Sequence, residues 1–198
     1  MNWMKKVAVA LVCLLPLGLQ AAKVDTLQVK SPSMNKSIEV VVVSPDVAAT
    51  KACPVIYLLH GYGGNARTWV GIKPDLSKIA DEKGIFFVCP DGKNTWYWDS
   101  PLNADVRYET FISDELVKYV DSHYKTVADR KGRAITGLSM GGHGAMWNGL
   151  RHSDVFSAAG STSGGVDIRP FPKNWEMSVQ IGEKAKYPEN WEKYTCLL

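Results

Sequence analysis

Two periodicities alternate along this chain, and the places where one gives way to the other mark its elements. Val24 to Val29 and Ser37 to Ser44 read as strands. The second holds Ile38 and Val40 to Val43, a β-branched run with no helical stripe. Pro54 to Leu59 and Ile85 to Cys89 are short continuous apolar runs, the pattern of strands buried on both faces. Asp75 to Lys83 reads as a helix. Glu109 to Tyr124 is a clearer one, with Phe111, Ile112, Leu116, Tyr119 and Val120 on one face and Asp114, Lys118 and Asp121 elsewhere. Arg133 to Thr136 is the next strand, Met140 to Arg151 a helix, and Ser157 to Ser161 the last strand. Gly61 to Asn65 and Asp91 to Arg107 are loops. Strands alternating with helices predict an α/β fold with a mainly parallel sheet covered on both faces. From Arg169 onward the pattern fades among Pro170, Pro172 and Pro188, and Tyr194 to Leu198 reads as the start of a further strand.

Composition narrows the picture. A length of 198 residues suits one domain. Met1 to Ala22 has a basic start at Lys5 and Lys6, an uncharged apolar run from Val7 to Leu19, and small residues at Ala21 and Ala22. That is the pattern of a secretory signal peptide, and the run is too short for a membrane span. The expected location is secreted or periplasmic. Removing residues 1 to 21 takes away two lysines and no acid, so the formal charge falls from +3 by two, to +1. A nearly neutral chain gives no electrostatic case for nucleic acid or for an anionic membrane. Cys53, Cys89 and Cys196 remain, an odd number in an exported chain. Cys53 starts one parallel strand and Cys89 ends another, so no bond is expected between them. No cysteine or histidine cluster has metal-ligand spacing, and no cofactor is implied.

The sharpest chemical signal is Gly137-Leu138-Ser139-Met140-Gly141, a G-x-S-x-G turn with a strand before it and a helix after it. Such a turn holds the serine hydroxyl clear of the sheet, and the residues two places either side must be very small. The helix N-terminus and the Met140 N–H then face any oxyanion formed at Ser139. The second signal is His60-Gly61-Tyr62-Gly63-Gly64, directly after a buried strand. Acyl transfer needs a second N–H donor, and Tyr62 is the candidate, with His60 and Gly61 beside the substrate. Trp96, Tyr97 and Trp98 are candidates to stack on an aromatic acid or a sugar ring, with a plain core role open for at least one of them. His143, four residues past Ser139, is expected to pack beneath the turn and not to act as base. His123 and His152 fall at helix ends. Asp99 and Glu109 are candidates to touch substrate, with solvation at the surface the favoured reading.

These residues resemble the esterase family that includes S-formylglutathione hydrolases, feruloyl and acetyl-xylan esterases, and mycolyltransferases. The likeness runs from about Ser33 to Gly165 and rests on Val55 to Gly64, Tyr108 to Ile112 and Gly137 to Ala145. It implies an α/β-hydrolase fold, a carboxylic-ester hydrolase using Ser139 as nucleophile, and an oxyanion hole from the N–H groups of Tyr62 and Met140. The expected partner is a small-molecule or carbohydrate ester, acetyl or feruloyl. A sugar hydroxyl replacing water would make it an acyltransferase; a non-catalytic carbohydrate binder is the third reading. The resemblance also implies an acid after a seventh strand and a histidine after an eighth. Only one strand is predicted after Ser139, no histidine follows His152, and Asp167 follows the sixth strand closely. The expectation is a hydrolase domain over residues 23 to 198 without its last strands, its triad acid or its histidine, and hence with little activity of its own.

Overall fold

A computed structural model describes residues 22–197, and the expected signal peptide lies outside them except for Ala22. Two antiparallel strands come first among the described residues, β1 (Lys23–Ser31) and β2 (Lys36–Ser44), followed by β3 (Val55–Leu59). Helices α1 (Thr68–Ile72) and α2 (Leu76–Lys83) lead to β4 (Phe86–Pro90). Next come α3 (Tyr108–Thr110) and α4 (Leu116–His123), joined by a π-type turn at Phe111–Glu115. Then follow β5 (Arg133–Leu138), α5 (Met140–Arg151) and β6 (Ala158–Thr162), with two short helices last, α6 (Met177–Ile181) and α7 (Pro188–Lys193).

The six strands form one sheet in the order β1-β2-β4-β3-β5-β6. β1, β2 and β4 pair antiparallel, and β4, β3, β5 and β6 run parallel. Neighbouring residues of a strand face opposite ways, and in β2, β3 and β4 neither way leads to water. Val40, Val42, Tyr57 and Leu59 pack with Phe111, Ile112, Leu116 and Val120 on one side, while Val41, Val43 and Leu58 pack with Leu76 and Ala80 on the other. This two-sided burial is what the uninterrupted apolar runs encode.

Three sequence expectations change. The Glu109 to Tyr124 helix starts at Tyr108 and widens at Phe111–Glu115, which keeps Phe111 and Ile112 both fully buried. The Arg169-onward segment does contain helices, too short to show a period. Tyr194 to Leu198 does not begin a strand: Tyr194 follows α7 into the core, stacking on Trp147, and the Cys196 N–H bonds to the Val166 carbonyl. Cys53, Cys89 and Cys196 are all free thiols, so Cys53 and Cys89 are unbonded as expected.

Candidate functional site

Ser139 sits in the tight turn between β5 and α5 with φ 53 and ψ −120, a conformation strained for any residue with a side chain. Its N–H donates to the Thr162 carbonyl, and its own carbonyl accepts from His143 N–H at the start of α5. Ser139 is an exposed residue. Two close approaches make this turn possible. A Cβ on Gly137 would lie 2.3 Å from the Gly141 oxygen, and one on Gly141 would lie 2.2 Å from the Leu59 oxygen.

Register then decides the neighbour. Leu59 on β3 pairs with Gly137 on β5, so the residues that follow, His60 to Gly64, emerge beside Ser139. A Cβ on Gly61 would stand 3.4 Å from that of Ser139. The loop is closed by Gly64 N–H on the Gly61 carbonyl and by Gly63 N–H on Asn94 Oδ1. Among the described residues, neither the Tyr62 nor the Met140 N–H donates to a protein acceptor, and Met140 is the first residue of α5, where no intrahelical partner exists. Tyr62, Ser139 and Met140 line one cleft of about 240 Å³, closed on its far side by Trp96, Phe171 and Trp175. It opens at the carboxyl ends of β3 and β5, the usual ligand edge of an open α/β sheet.

Trp96 is therefore at the site, but Trp98 and His60 are not. Trp98 is 0% exposed, and its indole N–H donates to Nε2 of His143. Because Nε2 accepts, the proton of His143 lies on Nδ1, which donates to the Gly165 carbonyl. Burial pushes this imidazole down to about 4, against that bond, which favours the charged form. His143 thus packs behind the turn as expected. The His60 ring is likewise inside: Nε2 accepts from Gly92 N–H and Nδ1 donates to the Gly61 carbonyl. It shapes the loop and does not touch the cleft. Beside it Asp91 is lowered to about 2; burial raises it, but contacts with His60 and Lys93 outweigh burial.

The other candidates resolve away from the cleft. His152 pairs with Glu109 at 2.9 Å, and Glu109 also accepts from Trp147 Nε1. Asp99 caps α3 by accepting from Thr110 N–H and Oγ1. Both carboxylates are internal fasteners, not solvated surface acids. His123 closes on the Tyr119 carbonyl. No histidine of the described residues lines the cleft; its one charged residue is Asp167, held low by the Arg169 guanidinium. Sequence reading missed Phe171, Trp175 and Met177, which line the cleft from the segment without period. Their only sequence signal was large apolar side chains among prolines and charges.

The profile of the family described as "Putative esterase" matches residues 31–196. The chain belongs to this esterase family. Esterase Rv1288 of Mycobacterium tuberculosis is 31% identical over 72% of the chain and 32% of its own length. The acetyl esterase of Caldicellulosiruptor saccharolyticus is 31% identical over 51% of the chain and 37% of its own length. The chain therefore spans about a third of these relatives. Among solved structures, a ferulic acid esterase superposes with a TM-score of 0.69 at 31% identity, covering 88% of this chain and 71% of that one. The fold is that of the α/β-hydrolase esterases, as the strand and helix pattern and the resemblance implied. Among the described residues no helix is long and apolar enough to cross a membrane.

Proposed function

We propose that this domain is the nucleophile-bearing part of a serine carboxylic-ester hydrolase acting on acetyl or aromatic acyl esters of small alcohols or carbohydrate. The observation that carries the reading is Ser139: exposed, strained at φ 53, and facing a cleft shared with Tyr62 and Met140. Attack by its oxygen on an ester carbonyl would place the developing oxyanion between the Tyr62 and Met140 N–H groups, at the positive end of α5. The ester C–O bond then breaks, the alcohol leaves with a proton, and water releases the acid from the acyl-serine.

Each of the four histidines is tied elsewhere, so the proton of Ser139 has no imidazole to go to within residues 22–197. The strained turn and donor pair alone retain a small part of such catalysis. The direct test is treatment with a fluorophosphonate followed by peptide mapping. Slow modification concentrated on the Ser139 peptide and lost in Ser139→Ala is the expected result. Modification spread over other hydroxyls, or unchanged in Ser139→Ala, would overturn the proposal.

A further inference from the structure

Phe171 and Trp175 are unusual places for large aromatics. They are 42% and 46% exposed, yet both line the cleft that holds Ser139. Large apolar side chains left open around a concave site are characteristic of ligand contact. The backbone beneath them is held at some cost. Trp175 has φ 49 and Glu176 φ 53, two successive left-handed residues with side chains, and across the cleft Trp96 has φ 60. Strain of this kind persists where surrounding contacts impose it. Here the Trp96 indole N–H donates to the Trp175 carbonyl at 3.2 Å, and Trp96 itself is fixed edge-on against His143.

The three rings form a slot. Trp96 and Trp175 have centroids 6.2 Å apart with planes at 51°, and Phe171 and Trp175 are 5.6 Å apart at 56°. Both pairs are tilted, and the ring area open to a third ring lies on Phe171 and Trp175, since Trp96 is 3% exposed with one face stacked on Trp98. Ile168 and Met177 complete an apolar lining, and its one charge is the Asp167 carboxylate beside Arg169. The cleft has room for one ring on a short tether, about 240 Å³ in all.

Resting on the reading of this cleft as the acyl site, we propose that Phe171 and Trp175 determine acyl specificity. They grip a flat, uncharged aromatic ring of the acyl group against Trp96, and a negatively charged ring is repelled by Asp167. Acyl selection then belongs to residues 163 to 177, and the His60 to Gly64 loop serves the carbonyl.

Calorimetric titration of the Ser139→Ala chain tests this without turnover. Methyl 3-phenylpropanoate and methyl 3-cyclohexylpropanoate differ only in ring flatness. The aromatic ester is expected to bind several-fold more tightly. Trp175→Ala should weaken it about tenfold and Phe171→Ala about threefold, while Trp175→Phe keeps most of the affinity. Methyl 3-(4-carboxyphenyl)propanoate should bind more weakly than either uncharged ester. Val179→Ala, 66% exposed and outside the cleft, serves as the unchanged control. Equal affinity for the flat and saturated rings, or no loss in Trp175→Ala with an unaltered melt, would overturn the slot. Fluorophosphonate labelling without ring selectivity removes the slot alone. Ring binding with no labelling of Ser139 removes the esterase reading alone.

Discussion

At Ser139 the backbone is bent by what its neighbours lack. Gly137 and Gly141 allow the carbonyls of Gly141 and Leu59 to approach where a methyl group would otherwise stand. Gly137→Ala is expected to destabilise the domain by on the order of 3 kcal/mol, read as a lower urea midpoint. His143 makes a second prediction at this scale. Its imidazole titrates at about 4 when folded, and near 6.5 when unfolded. Between those values the unfolded chain binds the extra proton, so stability falls as pH drops from about 6.5 to about 4. The loss from this group totals about 3 kcal/mol and stops below that window. Asp91, lowered to about 2, acts in a separate window below about pH 4, where protonation removes its contribution. His143→Gln should flatten the slope between pH 4 and 6.5 in urea titrations across pH. It should also cost about 1–3 kcal/mol at pH 7 through the Trp98 N–H and Gly165 carbonyl it leaves poorly paired.

Among the elements, the two edges of the sheet differ. β1 carries Lys23, Asp25 and Lys30, charges that discourage pairing with another chain. β6 is Ala158-Ala159-Gly160-Ser161-Thr162, uncharged and largely exposed, and among the described residues one of its sides is unpaired. Purified residues 22–198 are expected to self-associate through this edge. Ala158→Lys or Thr162→Lys should reduce light scattering at equal concentration without lowering the melting temperature. A monodisperse monomer before any substitution would count against it. The helices were read with differing success for a local reason. α5 carries its small residues and its stripe in twelve consecutive positions and was bounded correctly from sequence. α6 and α7, with five and six residues, are too short for a stripe to repeat.

For the molecule as a whole, the candidate site joins four distant stretches: the loop after β3, Trp96 in the loop after β4, the turn after β5, and the segment after β6. The loop after β3 and the turn after β5 were legible because each needs glycine in a fixed order. The segment after β6 was not, since Phe171 and Trp175 reach the cleft only through the path of a loop. Trp98 was misplaced for the same reason: two residues on from Trp96, it stacks on that ring and closes on His143, away from the cleft lining. Activity follows from the same geometry. With no histidine in the cleft among the described residues, hydrolysis of p-nitrophenyl acetate by this chain should run about 10⁴- to 10⁶-fold below enzymes with a full triad. An ordinary esterase rate that disappears in Ser139→Ala would contradict this.

Sequence by itself determined the six strands and the longer helices, the two-sided burial of the central strands, and the serine turn, because period and glycine placement are local constraints. Tertiary structure alone decided which aromatic rings line the cleft and which histidines are consumed by internal hydrogen bonds. Those depend on contacts between residues as far apart as Trp96 and Trp175, and no local pattern records which of many possible partners a side chain meets.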